Sequence, residues 1–549
     1  MPIPQSRNYG LNMRNILDLV LAAAKHAPES QAITFANASL SYRELAKRAQ
    51  ILANGIASLG ISPGSRIGIF LDKRIETVVS ILGASAAQCV FVPINPLLKP
   101  HQVTHILQDC GASCMITSTL RARLLAESGF TGLPHTVLTD AAEVSECALE
   151  GSGLVHCWNA CIDAHTRCGS IHPPGEAAAT IDTDLAAILY TSGSTGLPKG
   201  VMLSHRNLLE GAWSVAHYLE HTNSDRILAV LPLSFDAGLS QLTSAWAVGA
   251  SSVLINYLSP QDVIDACARE RITALTGVPP LWMQLARASW PEAARGAVRY
   301  FANTGGRLPV AVLQRLRALF PQAKPYLMYG LTEAFRSTYL DPSEVERRPE
   351  SIGKAVPNAR ILVVRPDGTP CDPGETGELV HVGACVTMGY WNDAARTAER
   401  YRPSPESKPG GATPDTAVWS GDLVRRDAEG FLYFVARDDA QIKSSGYRIS
   451  PEEIEETVHR SGLVTEVAAV GLPDDALGET ITVVVVPAVD SFAPQALLDW
   501  CKQHLPAYMV PNRIVVQAEI PRNANGKFDR ALLRVALASA ASDDQARPV

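Results

Sequence analysis

The feature that most constrains this chain is the stretch Tyr190-Thr191-Ser192-Gly193-Ser194-Thr195-Gly196-Leu197-Pro198-Lys199-Gly200. It follows Leu185-Ala186-Ala187-Ile188-Leu189, a short apolar run of the kind that forms a buried strand. Gly193, Gly196 and Gly200 allow a sharp turn and a close approach of backbone to ligand. Hydroxyls, free backbone N–H groups and the Lys199 ammonium together make a positively charged concavity of donors, which is what a polyphosphate requires. The GxxxxGK[ST] spacing of the common nucleoside-triphosphatase loop is absent. A flexible linker shares the Gly/Ser/Thr composition, but not the strand in front or the Pro-Lys-Gly behind.

A chain of 549 residues exceeds one hydrophobic core and is expected to divide into two or more domains. Hydrophobic residues make up 46% and charged residues 19%, a globular rather than a disordered balance. A net charge of −7 offers nothing to nucleic acid or an anionic membrane surface. The start Met1-Pro2-Ile3-Pro4-Gln5-Ser6-Arg7 lacks a signal-peptide pattern. No apolar run reaches the ~18 residues that span a bilayer. Eleven scattered cysteines do not imply an oxidising compartment. The expectation is a cytoplasmic protein with no membrane span and no nucleic-acid partner.

Apolar spacing predicts a helix over 15–25, and Ser41 with Glu44 forms a capping box for a second. Residues 66–71 and 89–94 read as strands around a helix over 75–87, and such alternation argues for layered α/β structure with parallel sheet. Residues 201–207 read as the lead into a helix, 225–232 and 271–277 as strands, and 325–333 as a strand ending in a polar turn. Beyond 350, β-like runs at 361–364, 377–381 and 431–435 suggest a β-rich subdomain. Past a polar break at 437–443 come a helix over 451–459, strands over 466–470 and 480–487, and a helix over 494–504. The fold class is therefore α/β: a large N-terminal domain of layered α/β subdomains plus a β-rich subdomain, with a small mobile α+β C-terminal domain. The expected boundaries are 1–436, a hinge at 437–443, 444–535, and a disordered tail over 536–549. In the weakly patterned stretch 143–174, His156, Cys157, Cys161, His165 and Cys168 have separations that could hold zinc. They fit no familiar zinc module, and a connecting segment that happens to carry thiols is the other reading.

Further motifs follow in order: Tyr329-Gly330-Leu331-Thr332-Glu333, Ser420-Gly421-Asp422, Arg437, Lys443-Ser444-Ser445-Gly446-Tyr447-Arg448 and Asn525-Gly526-Lys527. Together with the phosphate loop they resemble the adenylate-forming, AMP-binding superfamily of acyl-CoA synthetases, peptide-synthetase adenylation domains and luciferases. The resemblance covers about 41–530, and Ala334-Phe335-Arg336-Ser337-Thr338-Tyr339-Leu340 is most similar to the exosortase-associated acyl-CoA ligase branch. It implies an enzyme that activates a carboxylic acid with ATP and Mg²⁺ to an acyl-adenylate. The acyl group then passes to a thiol, either CoA or the phosphopantetheine of a carrier protein.

Each motif also has a physical role. Glu333 is an acid at a strand end, suited to hold Mg²⁺ beside a triphosphate, and Thr332 can donate to an α-phosphate oxygen. Thr191, Ser192, Gly193, Ser194, Thr195, Gly196 and Lys199 are the candidate phosphate contacts. Tyr329 would stack on adenine beside Gly330, with Gly305 and Gly306 letting the base lie flat, and Asp422 would accept from the ribose hydroxyls. Lys527 lies in a loop too polar for a core and can meet negative charge developing at phosphorus. Arg437, Lys443 and Gly446 complete the cofactor-binding set, Gly446 leaving room for a pantetheine arm, and Asp439 is the pivot between the two half-reactions.

The acid pocket is expected among Phe235, Asp236, Thr276, Ala302, Thr304, Met328 and Arg336. Asp236 is similar to the residue that holds the ammonium in amino-acid-activating relatives, and Arg336 could bind a second carboxylate. The two could instead pair with each other. The acid is thus a plain carboxylic acid or an amino acid. The sequence around Gly446-Tyr447-Arg448 is more similar to CoA ligases, so CoA is the expected acceptor, with a separate acyl carrier protein as the alternative.

Overall fold

A computed structural model describes residues 13–141, 153–161, 180–191, 198–407, 415–437, 441–488, 492–522 and 528–545. Two large sheets build most of it. A seven-stranded sheet runs Leu154–Cys157, His135–Leu138, Ala112–Thr117, Arg66–Phe70, Val90–Pro93, Leu185–Thr191 and Lys199–Ser204, parallel except for its last pair. A nine-stranded sheet has six parallel strands at its centre, among them Arg226–Ala229, Ala274–Gly277, Tyr300–Asn303 and Lys324–Tyr329. Helices Leu17–His26, Tyr42–Ser58, Ile75–Ala86, His205–Tyr218 and Asp236–Val248 lie between the sheets, and their apolar faces merge with both in one core. Strands buried on both faces read as continuous apolar runs, which is why short apolar segments between helical stretches marked them in the sequence.

The capping box is present: Ser41 accepts from the Glu44 N–H while Glu44 accepts from the Ser41 N–H. The lead into the expected helix is itself a strand: residues 199–204 pair antiparallel with Leu185–Thr191. Val201 and Leu203 are buried, and Gly200 packs so closely on Ile188 that a Cβ would come within 2.6 Å of its Cγ2. The helix starts only at His205, where Ser204 caps it.

The β-rich subdomain is a five-stranded antiparallel sheet centred on Thr376–Gly383 and Thr416–Arg426. The C-terminal unit has its own sheet, led by the long hairpin Val464–Asp474 and Gly478–Pro487, packed under helices Pro451–His459 and Pro494–His504. The disordered tail needs correction: a helix runs Arg530–Gln545. Its alanines are strong helix formers. Leu533 and Leu537 are buried against Ala468, Val470 and Leu472, about 2 kcal/mol each by area. Among the described residues no helix is long and apolar enough to cross a membrane.

Candidate active site

The parallel strands aim their C-terminal ends at a cleft, the position where open α/β sheets bind ligands. Thr191, Lys199, Thr332, Glu333, Ser420 and Arg448 are among its lining residues. Glu333 stands in a 3₁₀ turn just past strand Lys324–Tyr329. Lys199 opens the second arm of the phosphate hairpin and places its Nζ 3.2 Å from Glu333 Oε1. Tyr390 closes the triangle: its hydroxyl donates to Glu333 Oε1 at 2.7 Å and accepts from Lys199 Nζ at 2.9 Å. Burial pushes the Glu333 carboxyl up, but the Lys199 and Arg448 charges and the Tyr390 hydrogen bond outweigh it, so the acid stays ionised. Thr191 Oγ1 is buried with no hydrogen-bond partner among the described residues. An ionised carboxylate, an ammonium and an unmet hydroxyl around one cavity fit a metal-bound triphosphate.

Tyr329 and Asp422 meet directly, the phenol donating to the carboxylate, and the Asp422 N–H donates to Ser420 Oγ at 3.0 Å. Asp422 faces Arg437 across paired strands. Gly305 and Gly446 approach one another over Val278, and both have φ in the left-handed region, +75° and +82°. Ser445, also left-handed at +54°, and Gly446 form the two-residue turn between strands Ile442–Ser444 and Tyr447–Ile449. That hairpin brings the C-terminal domain onto the cleft. Arg448 donates to the Gly330 carbonyl at 3.3 Å, and Tyr447 sets its edge against Phe235 at 5.2 Å between centroids while stacking on Tyr508. Lys443, on the same hairpin, lies over the Phe434 ring.

The residues expected to line the acid pocket are placed as follows. Thr276, Ala302 and Thr304 end adjacent parallel strands or the turn beyond them, and Met328 accepts from the Tyr218 hydroxyl through Sδ at 3.2 Å. The two charges are paired: Arg336 Nη1 lies 3.0 Å from Asp236 Oδ2, their side chains 6% and 15% exposed. Phe335 orients Arg336. It holds φ +50°, rare for a bulky side chain, and its ring fits where a Cβ on Gly211 would come within 2.2 Å.

Ser192, Gly193, Ser194, Thr195, Gly196, Asp439 and Lys527 lie outside the described residues, as do His165 and Cys168. Among the described residues no three metal-ligating side chains cluster, and Cys157 and Cys161 are buried in separate apolar clusters. Sequence reasoning missed Tyr390 and gave Arg448 no role. Tyr390 sits in Met388-Gly389-Tyr390-Trp391, where no charge or periodicity marks it.

The family model for AMP-binding enzymes matches residues 20–391, and the model for the AMP-binding enzyme C-terminal domain matches residues 453–527. The chain belongs to the AMP-binding enzyme family. A feruloyl-CoA synthase of Amycolatopsis sp is 29% identical over 521 residues, which are 93% of this chain and 96% of that one. A linear gramicidin synthase polypeptide of Brevibacillus parabrevis is 28% identical over 93% of this chain, but the chain spans only 9% of that protein's length. Among solved structures, o-succinylbenzoate CoA synthetase from Bacillus subtilis, as a double mutant bound with its product analogue OSB-NCoA, gives a TM-score of 0.76 at 26% identity, covering 94% of this chain and 97% of that one. The same enzyme with its acyl-adenylate intermediate gives 0.62, at the same identity and coverage.

Proposed function

We propose that this chain is an AMP-forming acid–thiol ligase: it converts a carboxylic acid and ATP to an acyl-adenylate and pyrophosphate, then transfers the acyl group to a thiol, most readily CoA. The observation that carries this reading is the Lys199–Glu333–Tyr390 triangle at the mouth of the phosphate hairpin, with Asp422 and Tyr329 beside it. Glu333 would hold Mg²⁺, which supplies charge neutralisation to the triphosphate when bound. Lys199 and the Thr191 hydroxyl would contact phosphate oxygens, Asp422 the ribose, and Tyr329 the base. Lys527 would come from the C-terminal domain to meet the charge that builds as the acid's oxygen attacks phosphorus.

The present arrangement suits the second half-reaction. Here Arg448 lines the cleft and Gly446 lies against Val278 and Gly305. The better superposition on the CoA-analogue form of o-succinylbenzoate CoA synthetase than on its acyl-adenylate form supports the same assignment. Rotation about Asp439 would exchange the hairpin for Lys527. The boundaries 1–436, 437–443 and 444–535 follow from that motion.

A second reading is a stand-alone amino-acid or amino dicarboxylic acid adenylation enzyme that loads a separate carrier protein. It is favoured by the buried Asp236–Arg336 pair, which offers one charge to an ammonium and one to a carboxylate. A third, outside this class, is a nucleotide-binding scaffold without catalysis. The exosortase-associated branch rests on the residues after Thr332 alone. ATP–pyrophosphate exchange against a library of plain, aromatic and amino acids separates these readings when followed by mass detection of thioesters on CoA and on carrier proteins. Exchange with an acid and an acyl-CoA product supports the ligase. Exchange only with amino acids supports the second reading, and no exchange with any acid the third.

A further inference from the structure

The helix Pro100–Asp109 touches the C-terminal domain at one end and both ends of the phosphate loop further along. It does so through Gln102, His105 and Asp109, whose spacing of three and four puts them on one helix face. Gln102, only 2% exposed, donates to Glu453 Oε1 at 2.7 Å, and Lys99 Nζ donates to the Lys502 carbonyl at 3.1 Å. His105 Nε2 lies 3.1 Å from the carbonyl of Pro198, the residue just after the loop. Asp109 accepts from the hydroxyl of Tyr190, which precedes the loop, and its carbonyl accepts from Trp391 Nε1 at 2.9 Å. The Gln102 amide is committed on both sides, since its oxygen accepts the Lys99 N–H at 3.0 Å. A helix of this length is a stiff rod of about 15 Å, so its two ends cannot move independently.

We propose that this helix positions the phosphate loop according to where the C-terminal domain stands, with Glu453 holding Gln102 when that domain covers the cleft and His105 passing the placement to Pro198. The purpose of such coupling rests on the two-step reading above, but its geometry does not. It would tie the grip on phosphate to the half-reaction in progress, and Gln102, His105 and Glu453 would be positioning residues.

The seam also holds a proton. Burial pushes the Glu453 carboxyl up to about 7, against the Gln102 hydrogen bond and with Glu456 adding to the rise. The groups facing it are Gln102 across the seam, Glu456 one turn on in its own helix, and Tyr508 with Tyr447 stacked behind. Lys99, His101, Arg460 and His504 gather nearby at the same seam. Uncovered, the acid would return to the ordinary carboxylate range. The covered arrangement is therefore favoured at low pH and loses that advantage as pH rises through about 7.

Hydrogen exchange of the full-length protein without substrate, corrected for the chemical rate at each pH, reads both ends of the helix at once. Glu453→Lys is expected to speed exchange roughly threefold or more in peptides covering 99–106 and 198–204 together. His105→Ala is expected to speed only the second. Glu453→Gln keeps the acceptor but cannot titrate, so both peptides should stay slow at about pH 8, where the wild-type seam loosens. If Glu453→Lys opens the seam peptide and leaves 198–204 unchanged, the relay is wrong. If a folded Glu453→Lys changes neither, the latch is wrong. Should Glu453→Lys not fold, the pH response of wild type against Glu453→Gln decides alone. Coupled peptides with no pyrophosphate exchange for any acid would keep the relay and overturn the ligase reading instead.

Discussion

The proposed nucleotide end and the proposed acid end of the site are built on opposite terms. At the nucleotide end, Lys199, Glu333 and Tyr390 meet at a cavity, and the acid stays ionised although buried. At the acid end, Asp236 and Arg336 have found each other and leave a compact neutral wall. Charge at the first end is poised for a ligand. At the second it is already neutralised, and a substrate must either accept the pair as it stands or split it. This is why the reaction class can be argued from the site while the acid cannot: a buried ion pair is compatible with a recognition element and with a structural one.

The largest effect that would break this comparison concerns the motion serving both ends. Asp439→Pro should leave pyrophosphate exchange in place and abolish thioester formation; equal loss of both steps would count against a hinge. Next, Lys527→Ala should lower acyl-adenylate formation by on the order of 10²–10³, read as pyrophosphate exchange at saturating acid. Unchanged exchange would remove Lys527 from the chemistry.

At the acid end, Arg336→Met leaves Asp236 buried without its partner and should cost about 3–5 kcal/mol in denaturant unfolding. Adding Asp236→Leu should recover most of that. A double variant as unstable as the single would mean that the pair is not what holds this wall. If the double variant also keeps its acid preference, the amino-acid reading fails. The last effect is on acid stability. Burial lowers His221 and His381 to about 4 from an ordinary value near 6.5. His221 bonds to the Tyr300 hydroxyl and His381 to the Ser337 hydroxyl. Both are neutral in the fold and gain a proton more readily when unfolded. Stability is thus full above pH 6.5 and falls as pH drops toward about 4, by on the order of 3 kcal/mol per histidine. A stability profile flat over that window, or His381→Gln with an unchanged acid limb, would contradict it.

The nucleotide end was legible early because its chemistry is local. A strand, glycines and a lysine lie within one stretch, and Thr332-Glu333 follow closely on one strand, so motifs and resemblance together mark these residues in the sequence. Tyr390 was not legible. It reaches Glu333 across 57 positions, brought there by the bridge of Val201 to Tyr390 and by backbone bonds from residues 388–391 to Gly200 and Met202. The strand over 199–204 was not legible because its apolar alternation is short and runs straight into the expected, capped helix. The start of the tail at 536 was misplaced because its residues are small and polar, while Leu537 packs with Leu533 against Ala468, Val470 and Leu472.

By itself the sequence determined the α/β layering, the motif order and the residue types at the phosphate end, since periodicity and turn chemistry act over a few neighbours. Tertiary structure alone decided three things: that Asp236 and Arg336, a hundred positions apart, neutralise one another; that Tyr390 completes the Glu333 triangle; and that Gln102 meets Glu453 across the domain seam. Each depends on burial and on distances between distant segments, which no local pattern encodes.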